Sequence, residues 1–355
     1  MAKRTMDSRT KQELQPAHAL WKLYRPEAAP YRFRASTLAE ARKWQREARE
    51  ALKASVGFQD TPRVSPAPKL LERVDKGDYV REKVLIRTTR HTVMPVYVLV
   101  PKAGRAPFPT VIAFHGHGYG VKDIVGLWED GSERDTPGGY HKDFAVALVR
   151  RGLLVAAPEI SCFGERQTDF SSLAPLISPA PSTCQHTSFL ASHLGGTTIG
   201  LRVLDGKRLV DYLRTRRDAD VRRLGAMGIS GGGLHTMYST CLDVRIKACV
   251  ISGYYSTFRD SILAMNHCPC NYVPNLHEFG EMYDLVGLIA PRPLLVEAAS
   301  RDNIFPLTAV KRSVAKAKKV YEVFAAAGYP ETDYFEGRHE ISGAKAYDFL
   351  VRNLT

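Results

Sequence analysis

The chain has 355 residues, hydrophobic and charged fractions of 44% and 25%, and a net charge of +13. That length suffices for one decorated α/β domain, and the composition excludes a disordered or fibrous protein. No apolar run reaches the ~18 residues of a membrane helix, and no nucleic-acid module accompanies the basic surplus. Residues 1–75 hold 16 Lys/Arg against 9 Asp/Glu, a surplus of +7. These charges are interleaved, so they read as a solvated basic face, and neither a nucleic-acid nor a membrane partner is expected.

In chain order, the first 35 residues are polar and irregular. Ser36 to Val56 follows as a helix, capped by Ser36 or Thr37, with apolar positions recurring at Trp44, Ala48 and Leu52. After a proline-rich link from Thr61 to Pro68, alternating runs at Tyr79–Ile86 and Met94–Val100 predict an antiparallel hairpin. Strand candidates then recur at Thr110–Phe114, Leu153–Ala157, Leu224–Gly228, Ala248–Ser252, Leu294–Glu297 and Thr332–Phe335. Helices are predicted at His141–Arg150, Ile199–Arg214, Leu307–Ala327 and Ala344–Asn353. This alternation specifies an α/β fold: a mostly parallel, eight-stranded sheet with helices on both faces and an N-terminal helical extension. The expected division is an extension at 1–77 and a catalytic domain at 78–355. Insertions at about 121–140, 161–192 and 253–281 fit no element and follow strand ends, where open α/β sheets bind ligands.

The most informative stretch is Gly228-Ile229-Ser230-Gly231-Gly232, a serine between glycines where a strand run gives way to a helix. A serine on such a turn is forced into strained backbone angles that lift its hydroxyl clear of the sheet. A serine hydroxyl needs a base, and the base needs a group to fix its tautomer. Asp302 lies just past the Leu294–Glu297 strand and His339 just past Thr332–Phe335. The order serine, acid, histidine matches the one tied to this kind of elbow. His235 reads as packing on the helix after Ser230, and Glu297, inside its strand, is less free than Asp302 to reach a loop histidine. An oxyanion needs two donors. Gly231 supplies one backbone N–H, and the glycine-rich loop His115–Gly120 is the expected source of the other.

Six cysteines sit at 162, 184, 241, 249, 268 and 270. Cys241 and Cys249 lie in apolar runs and read as buried thiols. His267-Cys268-Pro269-Cys270 invites a metal, but no second ligand pair at comparable spacing is evident, so no metal and no cofactor are expected. Residues Met1–Arg9 lack an apolar signal core, which makes a reduced, cytoplasmic protein the expectation.

The segments Gly228–Gly233, His115–Gly118, Ser300–Pro306 and Gly337–Glu340 together resemble the α/β-hydrolase superfamily, in particular its acetyl xylan esterase and dienelactone hydrolase-like branch. The resemblance covers about residues 78–355, and the Ser36–Val56 helix is similar to the N-terminal addition of some bacterial esterase-like members. It implies Ser230 as nucleophile, His339 as base, Asp302 as its orienter, and the backbone amides of His117 and Gly231 as the oxyanion pair. Dienelactone hydrolases use a cysteine nucleophile; the serine here favours ester hydrolysis. The segments His267–Pro274 and Gly164-Glu165-Arg166 are also similar to esterase-like members and should border the cleft.

The function expected is therefore a serine carboxylic-ester hydrolase acting on a small-molecule ester with a short, acetyl-type acyl group, carbohydrate esters being one candidate class. Trp128, Tyr254, Tyr255 and Tyr272 either line a pocket for a sugar or aryl ester or pack under the long loops. Two alternatives stand beside this reading: a serine peptidase of the same superfamily, and a binding protein on a hydrolase fold. The first lacks a β-propeller-sized gating domain, and the second would have no need of a serine, an acid and a histidine in this order.

Overall fold

The computed structural model describes residues 7–172 and 182–355. The strands are β1 (Lys69–Asp75), β2 (Tyr79–Arg87), β3 (Val93–Pro101), β4 (Phe108–Phe114), β5 (Leu154–Pro158), β6 (Ala219–Ile229), β7 (Ala248–Ser252), β8 (Leu294–Ala299) and β9 (Glu331–Phe335). The helices are α1 (Ser8–Glu13), α2 (Pro16–Leu23), α3 (Leu38–Val56), α4 (Phe144–Val149), α5 (Thr183–His193), α6 (Thr198–Leu213), α7 (Gly231–Leu242), α8 (Met282–Leu285), α9 (Leu307–Val323) and α10 (Ala346–Leu354).

One nine-stranded sheet runs in the order β1-β2-β3-β5-β4-β6-β7-β8-β9. Strands β1, β2 and β3 form an antiparallel meander, and β3 joins β5 antiparallel. From β5 through β4 and β6 to β9 all pairing is parallel. The mixed α/β architecture is the one expected, with one strand more. β1 escapes a periodicity reading because it is an edge strand exposed along almost its whole length, with a bulge between Leu70 and Glu72.

Parallel strands buried on both faces need apolar residues at every position, and β4, β5, β7 and β8 are buried throughout. Alternate residues then sort to opposite faces. Ile112 and Phe114 join Ala226, Ile251 and Val296 under α3, α6, α7 and α9. Val111 and Ala113 join Met227, Val250 and Leu295 under α4 and α10.

The N-terminal extension is bound to the body. Helix α3 carries the expected cap, with Thr37 and Glu40 closing a capping box. It buries Ala41, Ala48, Leu52 and Val56 in the core. The Gln45 amide donates to the carbonyls of Gly287 and Ala290 at 2.7 and 2.6 Å, and Arg49 to that of Cys241 at 2.9 Å. The segment before it is less irregular than its composition suggests: α1 and α2 form there, though neither buries a residue.

Within the 161–192 insertion, α5 is a further helix that the polar composition hid, while 173–181, like residues 1–6, lies outside the described residues. Helix α4 starts at Phe144 rather than His141, because Lys142 and Asp143 take positive φ angles of 49° and 47° and turn the chain first. Helix α9 ends at Val323, four residues short of Ala327. Among the described residues no helix is long and apolar enough to cross a membrane.

Candidate active site

Strand β6 ends at Ile229 and α7 begins at Gly231, leaving Ser230 alone on the turn with φ 57° and ψ −120°. A non-glycine residue there is strained and persists only if its surroundings over-determine it. They do. The Ser230 N–H donates to the Ser252 carbonyl at 3.1 Å, and its own carbonyl accepts from Leu234 at 2.9 Å. The flanking glycines are required by close approach. A Cβ at Gly228 would stand 2.7 Å from the Phe114 carbonyl oxygen, one at Gly232 would collide with the same carbonyl, and one at Gly231 would stand 2.8 Å from His117 Nδ1.

Asp302 follows β8 and His339 follows β9, and the structure pairs them: His339 Nδ1 is 2.7 Å from Asp302 Oδ2. The other carboxylate oxygen accepts the backbone N–H groups of Ile304 and Phe305 at 2.8 and 3.1 Å. A carboxylate so held keeps the imidazole proton on Nδ1 and leaves Nε2 as an acceptor. His339 Nε2 is buried and makes no hydrogen bond among the described residues. The ring lies between Tyr140 and Phe305, with centroids 5.6 and 5.9 Å away. Ser230 and His339 line one cleft of about 370 Å³.

The rivals take other places. His235 is buried, stacks on Phe114 and makes a 2.7 Å hydrogen bond to the Arg202 carbonyl. Glu297 is buried in β8 and accepts from the Gly343 N–H at 2.6 Å. Burial pushes its carboxyl up to about 7.

The loop after β4 is held by a polar frame that sequence reasoning missed. His141 Nε2 accepts the Gly116 N–H at 2.7 Å, so its proton sits on Nδ1, 2.7 Å from Asp123 Oδ2. Burial keeps His141 below its usual range and so neutral. Burial opposes the Asp123 charge, yet His141, Arg134 and Tyr119 together pull its carboxyl down to about 2. Tyr140 donates to the His117 carbonyl at 2.6 Å. The His117 backbone nitrogen comes within 3.8 Å of where a Gly231 Cβ would stand. Neither of these two backbone N–H groups makes a hydrogen bond within the described residues.

The candidate pocket residues divide. Tyr254 lines the cleft with Ser230, as do Asn266, His267, Cys268 and Asn271 of the 253–281 insertion. Tyr255 is core, its hydroxyl on the Ser313 carbonyl. Tyr272 borders neighbouring depressions. Trp128 is half exposed beneath the Arg134 guanidinium. Glu165 pairs with Lys83 and Arg166 with Asp205, each at 2.7 Å. A second hollow, of about 780 Å³, adjoins the cleft through His117, Asn266, His267 and Cys268.

Between these hollows the donor atoms of His117, Cys184, Cys268 and Cys270 all lie within 4.8 Å of one another. The second ligand pair absent from the sequence spacing is thus supplied by the loop after β4 and by α5.

Residues 7–336 match the profile of the Abhydrolase family. The chain belongs to that family. A curated relative is YtaP of Bacillus subtilis (strain 168), named as a candidate hydrolase. It is 27% identical over 254 residues, covering 70% of this chain and 78% of YtaP. Among solved structures, a candidate acetyl xylan esterase of Bacteroides fragilis NCTC 9343 superposes with a TM-score of 0.72 at 19% identity, covering 90% of this chain and 82% of the other. A glucuronoyl esterase from Solibacter usitatus gives 0.63 at 16% identity, covering 88% and 93%. At these identities the likeness establishes the α/β-hydrolase fold, in agreement with the strand order and the serine turn of this Abhydrolase family member.

Proposed function

We propose that the protein is a serine carboxylic-ester hydrolase in which Ser230 is the nucleophile, His339 the general base and Asp302 its orienter. The observation that carries this reading is the convergence in one cleft of a strained serine and a histidine whose Nδ1 is fixed by a carboxylate and whose Nε2 is free. In the first step His339 Nε2 takes the Ser230 proton as Oγ attacks the ester carbonyl. The negative charge on the carbonyl oxygen is received by the N–H groups of His117 and Gly231; one donor of this kind is worth about 100–1000-fold in turnover. The imidazolium returns its proton to the leaving alcohol. Water, activated by the same nitrogen, then releases the acid and restores Ser230.

Substrate class follows from the shape and lining of the site. The cleft beside Ser230 is small and largely apolar where Tyr254, Ile304 and Phe305 meet, which suits a short acyl group. The wider hollow beyond Cys268 carries Gln167, Thr168, Gln185 and Asn266, a lining suited to a polyhydroxylic alcohol. The name of one structural neighbour, a candidate acetyl xylan esterase, supports the same class, and that of the glucuronoyl esterase supports a carbohydrate ester more generally. A panel of p-nitrophenyl esters of increasing chain length beside acetylated sugars tests this. Activity should fall as the acyl group lengthens. Ser230→Ala should lose on the order of a million-fold in kcat and all labelling by a fluorophosphonate. Near-normal turnover or labelling of Ser230→Ala would sink the assignment.

A further inference from the structure

We propose that His117, Cys184, Cys268 and Cys270 form a closed tetrahedral zinc site that fastens the loop after β4 to α5 and to the 253–281 insertion. It goes beyond the esterase reading and does not depend on it. The donor atoms lie within 4.8 Å of one another, and His117 Nε2 is 3.8 Å from Cys270 Sγ. Tetrahedral zinc with Zn–S bonds of about 2.3 Å and a Zn–N bond of about 2.0–2.1 Å places its ligands about 3.6–3.8 Å apart. The donor set, three sulfurs and one imidazole, is among those that select zinc in structural sites.

The second, independent observation is Arg202 on α6. It is 1% exposed, and its Nε and Nη1 make no hydrogen bond among the described residues. Its Nη2 reaches the Ser161 carbonyl at 3.2 Å and Cys184 Sγ at 3.6 Å. Asp205, three residues on along α6, is engaged by Arg166. With three neutral thiols and a neutral imidazole beside it, this guanidinium would be a buried charge without a compensating anion, an arrangement proteins avoid. Three thiolates, one neutral imidazole and Zn²⁺ carry a net charge of −1, the counter-charge Arg202 lacks. Binding therefore leaves Arg202 paired.

Four protein ligands leave no open position, so the metal does not activate water. Its consequence for the neighbouring cleft is positional. It would anchor the His117 ring through Nε2, at the residue whose own N–H borders Ser230, and Cys268, which lines that cleft.

The test is the metal content of the full-length protein purified without chelator and, separately, reconstituted with Zn²⁺ under reducing conditions. About one zinc per chain is expected. Cobalt in its place should give thiolate-to-metal absorption in the near-ultraviolet and tetrahedral ligand-field bands in the red. Cys268→Ser with Cys270→Ser should remove both bound zinc and cobalt bands. Because that variant could fail to fold, the cobalt spectrum of the wild type stands as the variant-free readout. Thiol titration in denaturant with chelator should find all six cysteines free; two fewer would indicate a disulfide and overturn the proposal. Wild type that takes up neither metal after reconstitution, or a double variant that binds zinc as before, would overturn it equally. Fluorophosphonate labelling of Ser230 in the same samples reports separately on the hydrolase reading.

Discussion

Replacing Asp302 with Asn separates the proposed chemistry from the fold that carries it. In the structure Oδ1 accepts from the N–H groups of Ile304 and Phe305, and Oδ2 faces His339 Nδ1 at 2.7 Å. Asparagine keeps its oxygen on the two backbone donors and turns its NH₂ toward Nδ1. Nδ1 must then accept, the imidazole proton moves to Nε2, and Nε2 can no longer take the Ser230 proton. A tautomer reversal of this kind costs about 10⁴-fold in kcat, or roughly 5.4 kcal/mol of transition-state stabilisation. Stability should fall by only about 1 kcal/mol, since one charge-assisted hydrogen bond becomes a neutral one. Alanine would confuse the two effects by orphaning both backbone donors, at about 1–3 kcal/mol each. The assay is p-nitrophenyl acetate turnover beside a thermal melt. An Asp302→Asn protein that melts near the wild type and keeps kcat within tenfold would refute the assignment of Asp302 and, with it, the role given to Nε2.

Two further outcomes follow from the polar frame and from Glu297. Tyr140→Phe removes the 2.6 Å hydrogen bond to the His117 carbonyl; at about 1 kcal/mol this should lower kcat several-fold while KM barely changes, and an unaltered kcat would detach Tyr140 from the site. Buried Glu297 has its carboxyl raised from 4.5 to about 7, so the folded protein holds that proton more tightly than the unfolded chain. Its contribution is fully present below about pH 4.5 and is lost as pH rises through about 7, a fall of about 3 kcal/mol. Glu297→Gln, with an amide oxygen still facing Gly343, should flatten that slope in denaturant titrations run at pH 5 and pH 8. Equal slopes in both proteins would assign the effect elsewhere.

The elements that sequence alone placed well are those whose signal is local. Strands β4, β5, β7 and β8 announce themselves as short, largely apolar runs, and the glycines around Ser230 mark a turn that only small residues permit. The elements it missed are those whose reason is distant or absent. β1 has no buried face to print a period, and α1 and α2 bury nothing. Helix α5 buries Cys184, Ser188 and Ala191, small residues that carry little amphipathic signal. The residue pattern extends the helix to His141 because the positive φ angles of Lys142 and Asp143 leave no mark in residue type. The gathering of Cys184 with His117 and Cys268 depends on three segments far apart in the chain, which no spacing rule reads. Of the aromatic candidates, Tyr254 and Tyr255 are neighbours in sequence, yet only Tyr254 lines the cleft with Ser230.

Ser230, Asp302 and His339 stand at the ends of β6, β8 and β9, three members of one run of parallel strands with only β7 between the first two. Neighbouring strands sit about 4.8 Å apart, so the backbone ladder itself gauges the spacing at which these groups are offered. Much of the cleft wall, in contrast, comes from the 253–281 insertion, which supplies Tyr254, Met265, Asn266, His267, Cys268 and Asn271. Chassis and fittings are therefore separable. An engineer could vary Met265 and Asn266 of that insertion to redirect selectivity, while keeping Cys268 and Cys270, which reach the His117 loop, and the strand ends that carry the proposed reacting groups.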